Sequence, residues 1–194
     1  MPEAHVEAPT VGSVFLAGIL LKLSGYGLLR FLIPCFPEAT IYFSPLVYTL
    51  SIIGIVYISC LTIIQVDLKK IIAYASIAHM NYVTLGVVSQ NIYSISGSIF
   101  LMVGHGLVSS ALFLCVGFLY DRYKTRLIFY YQGLSTLMPI YSFFVFFFLV
   151  CNTSFPGTVN FVGEFLVLVG LLDNNIFACF IATLSIFFVT IYSF

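Results

Sequence analysis

Long apolar stretches, separated by short polar segments, organise this chain from end to end. Five of them are uninterrupted and about as long as the ~20 residues that a helix needs to cross the hydrocarbon layer of a membrane. The pattern therefore predicts membrane-spanning helices over about 11–31, 45–64, 71–89, 92–120 and 175–194.

A sixth apolar stretch, 137–172, is interrupted near its middle by polar residues and by Pro156-Gly157. Each apolar half is shorter than a straight span requires. Discontinuous helices with Gly/Pro breaks recur in ion transporters, where irregular backbone lines a cavity. We expect one span broken near 154–160 rather than two separate spans. The predicted fold class is thus an all-α polytopic membrane protein, a single membrane domain over 1–194 with about six transmembrane helices, one of them discontinuous.

Composition agrees with this pattern and excludes several classes of partner. The chain is 61% hydrophobic and only 7% charged, with a mean hydropathy of +1.14. Its formal net charge is zero, which argues against nucleic acid as a partner. The apolar composition indicates that lipid surrounds the chain. Five scattered cysteines form no C-x-x-C pair, and we interpret them as small apolar side chains rather than metal ligands or a disulfide framework.

The loops differ in charge. With one broken span, a single side of the membrane carries Lys69, Lys70, Arg122, Lys124 and Arg126, and the other carries only Arg30. This bias fixes the orientation by the positive-inside rule. The side with the five basic residues is called the basic side below.

Four ionisable residues lie near the middle of separate spans: Lys22, His79, His105 and Glu164. A charged residue at the centre of a membrane helix costs about 3 kcal/mol when it faces lipid. Lys22 cannot reach the interface, since it lies roughly 15 Å from either end of its helix and its side chain extends about 6 Å. We therefore expect all four residues to face a polar interior and to relay protons.

Each of the four also has a structural explanation that the sequence leaves open. Lys22 and Glu164 are each compatible with a purely structural ion pair, and each histidine with a neutral ring held by a hydroxyl and a water. Zinc or haem ligation is disfavoured because the chain has three histidines and no converging set of ligands.

The remaining charges are interpreted as surface groups. His5, between Glu3 and Glu7, is expected to form a solvated cluster rather than a gate. Lys69 and Lys70 are expected at the membrane interface, where Asp67 is able to pair with a neighbouring lysine.

Seven motifs, in order along the chain, resemble the subunit 4 family of respiratory complex I. That family belongs to the antiporter-like, proton-pumping membrane subunits of NADH:ubiquinone oxidoreductase, and the resemblance covers essentially all residues, as the C-terminal portion of such a subunit. The motifs are Pro2-Glu-Ala-His-Val-Glu-Ala-Pro9, Leu16-Ala-Gly-Ile-Leu-Leu-Lys22, Asp67-Leu-Lys-Lys-Ile-Ile-Ala-Tyr74, Ala78-His-Met80, Gly104-His-Gly-Leu-Val-Ser-Ser110, Tyr120-Asp-Arg-Tyr-Lys-Thr-Arg126, and Pro156-Gly-Thr through Asn160-Phe-Val-Gly-Glu164.

The resemblance implies a fold, roles for the four residues and a location. It implies two inverted five-helix repeats, each with one broken helix, of which this chain carries the second. Lys22 would be the relay lysine between half-channels, His79 and His105 the relay histidines, and Glu164 the acid at the broken helix. The family implies part of an H⁺-translocating NADH:ubiquinone reductase in the mitochondrial inner membrane, with its basic side in the matrix.

The resemblance also implies partners. Flavin mononucleotide, iron–sulfur clusters and ubiquinone would lie in other subunits, and no cofactor is expected in this chain. Family members carry seven preceding spans with a glutamate and a lysine of the first half-channel, so we expect a separate chain to supply that half, beside the other membrane-arm subunits. The alternative is a module of a multisubunit cation/proton antiporter, or a structural remnant that does not pump.

Overall fold

The chain is an all-α polytopic membrane protein, as the sequence predicts. The computed structural model describes residues 2–193, which are helical over most of their length. In chain order the principal helices are α1 (Pro2–Glu7), α2 (Thr10–Cys35), α3 (Pro37–Ile64), α4 (Leu68–Val88), α5 (Ile92–Tyr123), α6 (Pro139–Asn152), α7 (Val159–Asn174) and α8 (Ile176–Ser193). Within residues 2–193, five of them are long and apolar enough to cross a membrane: α2, α3, α4, α5 and α8.

The boundary between α2 and α3 differs from the predicted one. Pro34 lies inside the last turn of α2, and the chain leaves the helical conformation only at Phe36 (φ −133°, ψ 60°). Pro37 then begins α3, because a proline in the first helical turn has no N–H to leave unpaired. As a result α3 starts eight residues before the predicted position 45 and contains Pro45 in its interior.

The helix break after α6 follows from a short irregular segment. α6 ends at Asn152 and α7 begins at Val159. Between them Ser154 (φ 55°) and Gly157 (φ 102°) have left-handed backbone conformations, which end a helix and which glycine adopts without strain. Thr158 caps α7, its Oγ1 accepting a hydrogen bond from the Phe161 N–H at 3.4 Å. That α6 and α7 cross the membrane as one broken span stays a prediction.

The loops of the basic side are tied to one another. Asp67 and Leu127 form an isolated antiparallel bridge, in which the Leu68 N–H donates to the Arg126 carbonyl at 3.1 Å and the Ile128 N–H to the Val66 carbonyl at 3.2 Å. This bridge joins the α3–α4 link to the connector that follows α5. Two short helical turns, Ile128–Tyr131 and Leu134–Leu137, complete the connector before α6.

Packing centres on α4, α5 and α7. In its most apolar stretch 61% of the α4 residues are buried, against 17% for α2. α5 packs most extensively against α7 and also contacts α2, α4 and α6. The main core lies among α3, α4, α5, α7 and α8, and it includes Ile55, Tyr82, Leu85, Leu101, Val167 and Leu171. A second group, called the small cluster below, lies among α2, α4 and α5 and consists of Ala17, Ile72, Ala73, Leu112, Phe113 and Val116.

Candidate functional site

Lys22 projects from α2 into the contact between α2 and α5. The helix contains two wider π-helical segments, Leu16–Leu20 and Leu28–Leu32, on either side of the lysine, and such segments are frequent at functional sites. Lys22 Nζ donates to the Ala17 carbonyl, inside the first segment, at 2.5 Å. Within residues 2–193 no carboxylate lies within 4 Å of this amine. A structural ion pair, the alternative that the sequence left open, is therefore absent from this part of the chain.

His105 is the direct neighbour of Lys22. Its Nδ1 lies 3.0 Å from Lys22 Nζ, at hydrogen-bond distance. An ammonium only donates, so Nδ1 accepts, and the proton of a neutral His105 is then on Nε2. The side chain is 1% exposed, and its Nε2 has no hydrogen-bond partner among the described residues.

The glycines on either side of His105 let two other elements approach it. A Cβ at position 106 would lie 3.3 Å from Lys22 Cε, and one at position 104 would lie 2.6 Å from Asn160 Oδ1. The Gly-His-Gly sequence of α5 thus admits Lys22 on one side and the start of α7 on the other. This is the close helix approach that small residues permit in membranes.

His79 and Glu164 form the second pair of the site. His79 Nδ1, on α4, lies 2.8 Å from Glu164 Oε1, on α7, although the contact does not have the angle of a linear hydrogen bond. Both side chains are buried, at 1% and 5% exposed. Glu164 lies in the second turn of α7, close to the helix break, as the sequence predicts.

The two pairs meet through their imidazoles. The rings of His79 and His105 have centroids 5.2 Å apart and planes tilted by 47°. The four residues therefore form one contiguous array across α2, α5, α4 and α7, in the order Lys22, His105, His79 and Glu164. An amine stands at one end, a carboxylate at the other, and two imidazoles, each able to accept and donate a proton, lie between them. Whether the array carries protons stays a prediction.

A cavity of about 700 Å³ lies beside Lys22, between α2 and α5. Apart from Lys22 and Ser110 its lining is apolar or glycine, and it includes Phe15, Ile19 and Met102. The apolar face of α2 next to it is exposed: Phe15 is 52%, Ile19 50% and Leu23 56% accessible. The described residues of this chain leave that face uncovered.

Two expectations about charged residues are wrong. His5 is not part of a solvated cluster: it is 1% exposed, and its ring stacks on Phe113. Lys69 is not an interface charge, because it is 4% exposed and its Nζ donates to the Ala8 carbonyl at 2.6 Å. The residue type predicted a surface position in both cases, but the carbonyl groups at the end of α1 turn inward and bind the lysine. By contrast Lys70 does pair with Asp67, at 3.4 Å.

Two features of the site, a backbone carbonyl and an asparagine, are not marked by a pattern in the sequence. The Ala17 carbonyl, to which Lys22 donates, is available through a π-helical segment in an ordinary apolar run. Asn160, noted only as a neighbour of Glu164, spans the helix break, its Nδ2 donating to the Cys151 carbonyl at 3.1 Å. No group of three or more His, Cys, Asp or Glu side chains suited to a metal ion occurs within the described part of the chain.

Comparison with known proteins identifies a family. The family model described as "NADH:quinone oxidoreductase/Mrp antiporter, TM" matches residues 1–190. Over 193 residues, the chain is 61% identical to NADH-ubiquinone oxidoreductase chain 4 of Acanthamoeba castellanii and 62% identical to that of Marchantia polymorpha. Each match covers 100% of this chain and 39% of the relative, so the chain spans about two fifths of these relatives' length.

Solved structures agree. A chain of respiratory complex I from Thermus thermophilus with bound NADH superposes with a TM-score of 0.90 at 29% identity, over 95% of this chain and 39% of that one. A chain of the Mrp complex from Dietzia sp. superposes with a TM-score of 0.92 over 99% of this chain and 36% of that one, and at 19% identity it shows the shared fold alone. These matches confirm the resemblance that the seven motifs predicted.

Proposed function

Because this chain belongs to the NADH:quinone oxidoreductase/Mrp antiporter transmembrane family, we propose that it is part of a proton-pumping membrane-arm subunit of respiratory complex I. In this proposal the chain lies in the mitochondrial inner membrane and translocates protons while NADH is oxidised and ubiquinone reduced in other subunits. The single observation that carries the proposal is the contiguous, largely buried array Lys22–His105–His79–Glu164.

The array supports a relay in which each group passes on one proton. Lys22 donates the proton from Nζ to His105 Nδ1, 3.0 Å away, and His105 then releases a proton from Nε2. His79 accepts a proton at its Nε2 and releases one from Nδ1 to the Glu164 carboxylate, 2.8 Å away. After these transfers Lys22 is neutral, Glu164 is protonated and both imidazoles are neutral again.

In this conformation the proposed relay is interrupted between the two imidazoles. Nε2 of His105 and Nε2 of His79 are both buried and both lack a hydrogen-bond partner among residues 2–193. Transfer there requires a ring rotation or a bridging water, either of which depends on the exact separation of α4 and α5. We infer that a change in the charge of Lys22 or Glu164 makes proton transfer between the two imidazoles possible. This dependence on charge couples the relay to electrostatic changes elsewhere in the complex.

The proposal includes a partner beside α2. Residues corresponding to the rest of the relatives' length would pack on the exposed face of α2 and line the cavity next to Lys22. That partner would provide the glutamate and lysine of the first half-channel, through which Lys22 exchanges protons. Flavin, iron–sulfur and quinone sites would remain in other subunits of the complex.

Replacement of Lys22 tests the proposed function. In native membranes with the assembled complex, Lys22→Ala is expected to reduce the proton-pumping rate at least roughly tenfold, since a positioned proton-transfer group contributes this much or more. The control is Lys70→Ala, which removes an exposed lysine paired with Asp67 and is expected to leave pumping unchanged. Near-normal pumping by an assembled Lys22→Ala complex would refute the relay.

The same membranes distinguish the alternative machine. A multisubunit cation/proton antiporter would transport a cation without flavin or iron–sulfur subunits. Mass spectrometry of the purified assembly is expected to identify flavin and iron–sulfur subunits together with this chain. Their absence, together with cation-dependent proton exchange, would instead establish the antiporter.

A further inference from the structure

His5 is buried at the basic end of the helices, although its short helix α1 also carries two exposed glutamates, Glu3 and Glu7. Its ring lies parallel to the Phe113 ring, with centroids 5.2 Å apart and planes within 6°. Its Nδ1 is buried and has no hydrogen-bond partner among residues 2–193. A buried polar atom without a partner costs about 1–3 kcal/mol, so packing alone gives a histidine no advantage here.

Two cations on neighbouring elements bind backbone carbonyl groups at the end of α1. Lys69 Nζ donates to the Ala8 carbonyl at 2.6 Å and to the Val6 carbonyl at 3.4 Å, and Arg126 Nη1 donates to the Val6 carbonyl at 2.8 Å. Neither cation has a carboxylate within 4 Å among the described residues. Carbonyl groups at the end of α1 are thus bound by two cations, which share a small cavity with the exposed carboxylate of Asp121.

The charge of His5 follows from these surroundings. Lys69 from α4 and, farther away, Lys22 from α2 act on the ring through their positive charges. Arg126, from the segment after α5, binds the carbonyl of the next residue, Val6, and the two glutamates of α1 are exposed. Burial, and after it the positive charges of Lys69 and Lys22, hold the pKa of His5 below its usual value. At neutral pH the ring is neutral, the form that accepts a proton at one nitrogen and releases one from the other.

Buried polar groups on α2 lead from His5 toward Lys22. Ser13, fully buried, donates from Oγ to the His5 carbonyl at 3.2 Å. Ala17, one turn farther along α2, provides the carbonyl that binds Lys22 Nζ. From Ser13 to Lys22 the helix rises about 14 Å. About four water molecules at normal hydrogen-bond distances would bridge that length.

The small cluster occupies this path in the present conformation. On α5 its Phe113 lies eight residues beyond His105, and on α4 its Ile72 and Ala73 lie six or seven residues before His79. The cluster thus extends from the level of His5, where Phe113 stacks on the ring, toward the level of the array. A hydrophobic constriction of this kind closes a water path by excluding water. Phe113 belongs to the cluster and is also the residue on which His5 stacks.

We propose that His5 receives protons from the basic side and delivers them toward Lys22, and that Phe113 with the small cluster is the gate between them. This inference rests on the proposed function of the array. One ring nitrogen of His5 takes a proton from water at the basic side, and the other releases its own proton inward, so the ring returns to the neutral form. Movement of Phe113 off the ring admits the water chain along Ser13 and Ala17.

The experiment replaces His5 with a ring that stacks but does not titrate. In native membranes with the assembled complex, His5→Phe retains an aromatic partner for Phe113 and removes the proton-carrying nitrogens. We expect its pumping rate to fall at least roughly tenfold, since a positioned proton-transfer group contributes this much or more. We also expect the rate to lose its dependence on the pH of the basic side below about 6.5, because the pKa of His5 lies below that ordinary histidine value. Lys22→Ala is measured in parallel as the variant in the array itself.

The outcomes separate this inference from the function on which it rests. If Lys22→Ala abolishes pumping while His5→Phe pumps at the original rate with an unchanged pH profile, His5 is only a packing residue and the inference is wrong. If neither variant affects pumping, the relay itself is wrong. Should His5→Phe fail to assemble, His5→Gln with measurement of the same pH profile provides the decision: a profile like that of the unaltered chain overturns the inference.

Discussion

At the scale of single residues, the array is defined by the order of its four side chains. Lys22 and Glu164 never touch, and two imidazoles separate them. The sequence singled out these four residues because each is costly in lipid, and their role in proton transfer stays a prediction. It did not predict their order, since the order depends on which faces of α2, α4, α5 and α7 meet.

Removal of either histidine is expected to slow pumping less than removal of Lys22. The cavity left by His105→Ala or His79→Ala borders charged neighbours, and a water there can replace part of the imidazole's function. We expect each variant to lose roughly two- to fivefold in pumping rate, below the loss proposed for a missing proton-transfer group. The control is Ser96→Ala, a half-buried residue of α5 outside the array, whose hydroxyl donates to the Tyr93 carbonyl. A histidine variant as inactive as Lys22→Ala would contradict the idea that water substitutes for the ring.

Residue type misled the prediction where backbone groups changed the surroundings. His5 and Lys69 look like surface residues, and charged or titratable groups usually are. The structure buries both because the carbonyls of Val6 and Ala8 accept from Lys69, and because Phe113 covers the His5 ring. The segment around α1 is too short for a periodic pattern to indicate such contacts. The sequence therefore could not predict this part of the structure.

At the scale of helices, the apolar stretches indicated where helices lie, although α3 begins eight residues before the predicted span, and they did not indicate how the helices pack. The spans over 71–89 and 92–120 correspond to α4 and α5 within three residues at each end. The interruption of the helix near 154–160 could be predicted from Pro156-Gly157, because those residues disfavour a continued helix. The π-helical segments of α2 had no such marker, since they occur in an ordinary leucine-rich run.

The α5–α7 contact depends on glycines, and Gly163 provides its test. A Cβ at position 163 would lie 2.8 Å from the Leu101 backbone nitrogen and 2.9 Å from its Cα, so a helix must shift. Gly163→Ala is expected to destabilise the assembled protein by about 1–3 kcal/mol, the usual cost of overpacking. It should also lower pumping, because the neighbouring Glu164 moves with α7. Thermal stability and pumping rate are the measurements.

A matched glycine on α2 is the control for that substitution. A Cβ at Gly27 would meet no atom within 4 Å, and its backbone is helical. Gly27→Ala is therefore expected to leave stability and pumping unchanged, or to raise stability slightly through the better helix propensity of alanine. Equal effects of the two variants would show that helix propensity, and not the close approach of α5 and α7, governs the result.

At the scale of the whole molecule, the helices differ in how much of them this chain covers. α4 is largely enclosed, whereas α2 presents an apolar face and a cavity next to Lys22. In the proposed relay Lys22 passes its proton to His105, and lipid alone beside that cavity would leave the amine without a group that replaces this proton. The geometry of α2 thus favours a polypeptide neighbour over lipid at this face.

A photo-crosslinking residue at position 19 tests that neighbour. Ile19 is 50% exposed and lines the cavity beside Lys22, so a photoreactive side chain there is expected to capture a polypeptide rather than lipid in native membranes. We expect mass spectrometry to place the captured segment in a membrane-spanning helix that carries a glutamate or lysine near its middle, because such a group completes a proton path to Lys22. The same probe at Tyr57, which is 63% exposed on α3, is expected not to capture that segment, since α3 packs against α4 and α8 instead. Lipid adducts alone at position 19 would show that α2 borders the bilayer, and the path to Lys22 would then have to run entirely within this chain.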